Sequence, residues 1–561
     1  MNSSDKGFQM GWVRATVRGA TIASLALSIV ALSGCGGQSD SQKASLGGGT
    51  GGTGGTGGTG GTGGGGTGNV APVAYTAGVF PKYDTLANQC ASPRTGIDPF
   101  TNQQYPDTKG SVAAENNWLR SWINDTYLWY SEVPDLNPNS TASTESYFNQ
   151  LKTSQTTASG ADKDKFHFTY DTAEWEALSQ SGVSVGFGAQ WFLIKGTPPR
   201  EVRVAYIEPG SPAAIGGLHR GDLVLTVDGV DAVNGNTEAI VNTLNAGLFP
   251  ENAGKSTALT LRDVNDVEYN ATLVSAEITS TPVQNTKIID QGGTKVGYIQ
   301  FNDHIATAEQ HLIDAINTLK TGGATELVLD IRYNGGGYLD LASELAYMIA
   351  GPTKTAGKTF EKLAFNDKYP TADPVTGDPL TPTPFHNKTL GFSAAPGAAL
   401  PTLDLNRVFV LTGSNTCSAS ESIINSLRGV DVEVVQIGAT TCGKPYGFYP
   451  TPNCGTTYFA IQFKGVNDAG FGDYTDGFSP ANVVTAEGTE IPGCAVADDF
   501  EHELGTEQEG RLAAALQFRA NGSCPTPPAG PVQKPNVKRQ TTDGYAPKSP
   551  FLENRILRRP H

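Results

Sequence analysis

The chain has 561 residues, enough for about three domains of ordinary size, and it is acidic, with a formal net charge of −16. It has no long basic run outside its termini, which excludes nucleic acid as the main partner, and the shared negative charge favours a dispersed, soluble folded part.

Residues 1–35 read as a targeting segment. Lys6, Arg14 and Arg18 precede an apolar stretch, Ala20 to Leu32, that is too short to span a membrane. The stretch closes on Leu32-Ser33-Gly34-Cys35, which resembles the lipobox of bacterial lipoproteins and implies lipidation at Cys35. The plain alternative is an ordinary signal peptide with an incidental cysteine. Gly36 follows, with no aspartate to signal inner-membrane retention, so the expected location is the periplasmic face of the outer membrane. Residues 36–74 form a Gly/Thr-rich linker that cannot build a core and whose reach is on the order of 30 Å. Without Cys35, six cysteines remain: Cys90, Cys417, Cys442, Cys454, Cys494 and Cys524. In an exported protein they suggest up to three disulfides among 15 connectivities, and they lack the paired spacing of a zinc site.

Residues 75–178 read as a helical N-terminal domain. Glu115 to Tyr130 predicts an amphipathic helix whose Trp118, Trp122 and Trp129, with Leu119, Ile123 and Leu128, form a packing face. His167 in Phe166-His167-Phe168 reads as structural. Residues 179–281 are β-rich, with the pattern Gly210-Ser211-Pro212-Ala213-Ala214-Ile215-Gly216-Gly217-Leu218, Arg220-Gly221-Asp222 and Val227-Asp228-Gly229. This resembles a PDZ domain and implies peptide binding by strand addition at a glycine-containing loop, here Val185-Gly186-Phe187-Gly188. Two motif matches in this region fail on context. Gly182-Val183-Ser184-Val185-Gly186 has the nucleophile-elbow spacing without a following helix, and Gly254-Lys255-Ser256 lacks the P-loop glycine at the required distance.

Residues 282–524 alternate apolar strands and helices, which predicts an α/β core with a mainly parallel sheet. Strand Glu326 to Ile331 runs into Asn334-Gly335-Gly336-Gly337, and strand Arg407 to Leu411 leads to Ser418 at the start of a helix. Lys444 follows Ser418 by 26 residues (444 − 418). A serine at a helix start with an uncharged neighbourhood around a later lysine suits a hydrolase whose base is a neutral lysine. That lysine must titrate roughly 3 units below a free one. The N–H of Ala419 is available to a developing oxyanion, and the glycine run offers a second donor. Residues 525–561 read as an extended tail rich in Pro and Lys/Arg.

The PDZ pattern, the glycine strand, Ser418-Ala419-Ser420-Glu421 and Gly443-Lys444 together resemble the carboxyl-terminal processing (tail-specific) proteases. The resemblance implies Ser418 as nucleophile, Lys444 as base, and Ala419 and Gly336 as oxyanion donors, with no cofactor or metal. It implies protein or peptide substrates with flexible, apolar C-termini. Phe448 stands where many members carry a glutamine, which leaves Glu421 to orient the lysine. The Ser-to-Lys spacing is one residue longer than usual. Cys417 and Cys442 flank the pair, and a Cys417–Cys442 bridge competes with Cys442–Cys454. A Ser-His-Asp arrangement with His304 is an alternative mechanism. An inactive peptide-binding lipoprotein and an esterase using the same dyad are alternative functions.

Overall fold

The computed structural model describes residues 72–483 and 488–526, and the backbone strand Asn554–Ile556. The signal segment with Cys35, most of the linker and most of the tail lie outside the described residues. Among the described residues no helix is long and apolar enough to cross a membrane.

Helix α1 (Val112–Thr126) starts where the Ser111 hydroxyl accepts the Ala114 N–H, satisfying one of the orphan amides of its first turn. Trp118 and Trp122 stack at 5.4 Å between ring centroids. They bury into the same hydrophobic core as the helices of the α/β region, so the N-terminal helix completes that core rather than forming one of its own. The helix ends before Trp129, which is only partly buried.

The PDZ region comprises β1 (Val183–Gly186), β2 (Ala189–Lys195), β3 (Glu201–Ile207), β4 (Leu223–Val227), α2 (Glu238–Leu248), β5 (Ser256–Arg262), β6 (Glu268–Val274) and β7 (Ala276–Thr279). Its main sheet has the order β6-β5-β4-β3-β2, while β1 pairs with β7. Alternate residues such as Val202, Val204, Leu259 and Leu261 fill a separate core, as period-2 strands require.

The second sheet contains β8 (Val283–Gln291), β9 (Thr294–Phe301), β10 (Glu326–Asp330), β12 (Arg407–Thr412), β13 (Glu433–Gly438) and β15 (Gly493–Ala495), in the order β8-β9-β10-β12-β13-β15. The β8–β9 pair is antiparallel and the remaining neighbours are parallel. Leu327, Leu329, Val408 and Val410 face one core, against α1, α3 (Ala308–Thr321), α4 (Leu339–Thr355, broken at Gly351) and α5 (Ala419–Arg428). Val328, Phe409, Leu411 and Val435 face the other, against α6 (Gly510–Asn521). Two covered faces explain why these strands read as continuous apolar runs. A short strand, β11 (Gly336–Tyr338), follows β10, and β14 (Tyr446–Gly447) follows Lys444. The disulfides are Cys90–Cys454, Cys417–Cys442 and Cys494–Cys524, which excludes the Cys442–Cys454 pairing.

One carboxyl pair anchors the segment after α4. Glu309 accepts the N–H groups of Leu390, Gly391, Ser393 and Ala394. Burial and the neighbouring Glu309 push Glu344 up to about 9. The folded chain therefore keeps the Glu344 proton through the range where the unfolded chain has released it, and the associated stability is lost as pH rises toward 9. Glu344→Gln, which keeps a donor without a titrating proton, is expected to show a smaller drop in Tm between pH 5 and pH 9 than the wild type.

Candidate active site

Ser418 stands at the junction of the loop after β12 and helix α5. Its backbone has φ 60° and ψ −115°, a region L-residues rarely occupy and one that the surroundings must hold in place. The loop is fastened from below. Thr416 Oγ1 donates to the Ile331 carbonyl at 2.8 Å, while Cys417 N–H and Ser420 Oγ both donate to the Asn334 carbonyl, at 3.2 and 3.1 Å. Ser418 exposes none of its surface, and its Oγ has no hydrogen-bond partner among the described residues. Ala419 is the first residue of α5, so its N–H has no acceptor within the helix.

Glu421 ties this turn to Lys444. Its Oε2 accepts Ser418 N–H at 2.9 Å and Lys444 N–H at 2.8 Å. Its Oε1 accepts Gly443 N–H at 2.8 Å and the Thr441 hydroxyl at 2.5 Å. One oxygen thus holds the two backbones side by side, and the Cys417–Cys442 disulfide crosses the same gap. Burial pushes the Glu421 carboxyl above its ordinary value, against the pull of these donors. Lys444 is wholly buried, and its Nζ lies 4.3 Å from the centroid of the Phe448 ring and 4.7 Å from that of Phe166. Phe448 is therefore a wall of the lysine pocket. Phe166 brings the N-terminal region into the site, and Lys165 Nζ donates to the Cys442 carbonyl at 2.9 Å.

Asn334 organises the glycine strand. Its Oδ1 accepts Gly336 N–H at 2.9 Å and meets His304 Nδ1 at 2.9 Å, while its Nδ2 donates to the Phe301 carbonyl. The Gly336 N–H expected at the oxyanion is thus directed to Asn334. The backbone of His304 holds one edge of β11, through Gly336 O and Tyr338 N–H. The Gly337 N–H and C=O face the opposite edge, as alternation along a strand requires. A Cβ on Gly337 would lie 2.4 Å from the His304 carbonyl oxygen, so that close approach needs glycine. Burial pushes His304 down to about 3, leaving it neutral, and its hydrogen bond goes to Asn334 rather than Ser418.

In the PDZ region, Val185 and Gly186 lie within β1, Phe187 is buried in the PDZ core, and Gly188 adopts φ 74° against Ser211. The Phe187 carbonyl accepts Ala213 N–H at 2.9 Å. Edge strand β2 and helix α2 border an apolar groove lined by Trp191, Leu193, Val241, Leu244 and Leu248. Arg220 crosses from this region to the core, bonding the Tyr333 hydroxyl at 2.7 Å and Asp498 at 2.9 Å. Asp498 also pairs with Arg332, whose guanidinium is held by Asp330 and Glu509. Ser184 of the nucleophile-elbow match lies in β1, away from any helix start.

Asn334 and Phe166 are site residues that the sequence did not single out. Asn334, polar and next to a glycine run inside an apolar stretch, carried a local signal. Phe166 carried none, because only the tertiary fold brings it to Lys444. Glu421→Gln would turn an NH2 group toward the amides the carboxylate now accepts. It is expected to lower stability by about 1–3 kcal/mol in denaturant unfolding, in line with unsatisfied buried donors.

Residues 295–451 match the family model for peptidase family S41, residues 114–170 that for the peptidase S41 N-terminal domain, and residues 186–247 that for a PDZ domain. A carboxyl-terminal-processing protease from Picosynechococcus sp. is 28% identical over 269 residues, covering 48% of this chain and 56% of the relative. The chloroplastic carboxyl-terminal-processing peptidase 1 of Arabidopsis thaliana is 27% identical over 242 residues, covering 42% of each. The chain spans about half the length of the curated relatives it matches. A crystal structure of a Bacteroides fragilis protein assigned to the S41 proteases shares the fold, with a TM-score of 0.55 and 23% identity over 75% of this chain and 98% of that one.

Proposed function

We propose that this chain, which belongs to peptidase family S41 and carries that family's N-terminal domain and a PDZ domain, is a serine endopeptidase that works through a Ser418–Lys444 dyad. The observation that carries this reading is the shared Glu421 oxygen, which sets the strained, unpartnered serine beside the backbone of the buried lysine. In the proposed reaction Ser418 Oγ attacks the peptide carbonyl and Lys444 Nζ takes the proton. Lys444 then protonates the leaving amine, and water hydrolyses the acyl-enzyme.

A neutral lysine suits its pocket. Lys444 is wholly buried against the rings of Phe166 and Phe448, and desolvating an ammonium costs several kcal/mol, which favours the uncharged amine. The oxyanion would be held by Ala419 N–H and by the Gly336-Gly337 element. With Gly336 N–H on Asn334, the Gly337 N–H is the better-placed donor of the two. Each such donor is worth about 3 kcal/mol of transition-state stabilisation.

Substrates are proposed to be proteins with flexible, apolar C-terminal segments, taken up along β2 and α2 of the PDZ region. The apolar lining of that groove supports this. An exported, outer-membrane lipoprotein anchored through Cys35 completes the reading, supported by the sequence of residues 1–36.

Casein and a C-terminally apolar peptide are the test substrates. Ser418→Ala and Lys444→Ala are each expected to lower kcat/KM at least 1,000-fold while leaving the fold intact by circular dichroism. Turnover equal to wild type in either variant would refute the dyad. An ester cleaved in a Ser418-dependent way with peptides left untouched would reassign the chain as an esterase.

A further inference from the structure

A hydrolase needs its nucleophile within reach of substrate, yet Ser418 and Lys444 expose no surface. The strand Asn554–Ile556, here β16, lies at this place. It pairs in parallel with β11, Gly336 opposite Asn554, Gly337 opposite Arg555 and Tyr338 opposite Ile556. It also comes within 8 Å, Cα to Cα, of α5, which starts beside Ser418, and of β14, which follows Lys444. One short segment therefore runs between the serine helix, the lysine strand and the glycine strand.

The register fixes which backbone groups meet. His304 occupies Gly336 O and Tyr338 N–H on one edge of β11. The edge left for β16 carries the Gly337 N–H and C=O. In a parallel ladder of this register, the N–H faces the Asn554 carbonyl and the C=O faces the Ile556 N–H. The Asn554 carbonyl is thus directed at the amide proposed above as an oxyanion donor.

We propose that Asn554–Ile556 is bound as an intramolecular substrate strand and that the chain cleaves itself at the Asn554–Arg555 bond. The proposal rests on the serine peptidase reading. Ser418 Oγ adds to the Asn554 carbonyl carbon and its proton passes to Lys444. The C–N bond to Arg555 breaks, and the lysine proton goes to the new Arg555 amine. Water then hydrolyses the ester, leaving a carboxylate on Asn554 and restoring the serine. Until this cut is made, the segment occupies the cleft that other substrates need. Strand addition at β11 is then also the mode by which those substrates bind.

Two readouts on the full chain test this. Intact-mass spectrometry is expected to show Ser418-dependent loss of the segment from Arg555 onward. Its half-time should not change over a tenfold range of protein concentration, as an intramolecular cut requires. In the Ser418→Ala background, deleting residues 554–556 is expected to speed hydrogen exchange at Gly337 at least tenfold, which reports docking without any turnover. An uncut wild-type chain that hydrolyses casein, with unchanged exchange at Gly337 on deletion, would overturn the proposal and leave the peptidase reading standing. Exchange protection without any cut would overturn self-cleavage. Absence of Ser418-dependent cleavage of either casein or the chain itself would overturn both readings.

Discussion

The site depends on one buried carboxylate. Glu421 sits in the first turn of α5, and from there it accepts the N–H of Ser418, the N–H groups of Gly443 and Lys444, and the Thr441 hydroxyl. Taking a carboxylate out of water is expensive, and it persists only where hydrogen bonds replace its hydration. Here the replacements are three backbone amides and one hydroxyl, among them the Ser418 and Lys444 amides that the proposed serine–lysine reaction needs side by side. The bond to Lys444 is made through its main chain, so the carboxylate fixes where the side chain begins. The Cys417–Cys442 bridge closes the same gap covalently, on the side chains flanking the two residues.

Much of this was legible in the sequence, for physical reasons that differ from element to element. Strands β9, β10, β12 and β13 are apolar on both faces because helices cover both, and the alternation with helices follows from parallel connections. The Arg220-Gly221-Asp222 signature stood out because its arginine and aspartate have fixed partners: Arg220 reaches Tyr333, and Asp222 accepts the His219 N–H. Glu421 was visible as a positioning residue, but its partners were not, since three of the four are contributed by a loop more than a helix away in sequence. Phe448 read as a departure, yet it shapes the lysine pocket together with Phe166, which precedes the lysine by 278 positions (444 − 166). The direction of the Gly336 N–H was equally hidden, because it turns on the Asn334 side chain. The helix at 112–126 was legible, but not that its tryptophans complete the core beneath the site.

The architecture joins the PDZ region to the α/β core through short, buried polar links. Arg220 of the PDZ region touches Tyr333, and Arg332 beside it is locked by Asp330, Asp498 and Glu509, with Asp498 held well below the usual carboxylate range by the surrounding arginines. Asn334 follows directly and holds both the glycine strand and the serine loop. Buried, hydrogen-bonded side chains therefore line the chain from Arg220 through Tyr333 to Asn334 and β11. Phe166 and Lys165 join the N-terminal region to the lysine segment.

In the proposed mechanism Ser418 is a nucleophile made reactive by Lys444. Labelling the full chain with a fluorophosphonate, and mapping the modified residue by peptide mass spectrometry, reads this out. A single adduct on Ser418 is expected in the wild type, and its loss in Lys444→Ala. An adduct on another residue, or undiminished labelling of Ser418 without the lysine, would contradict it.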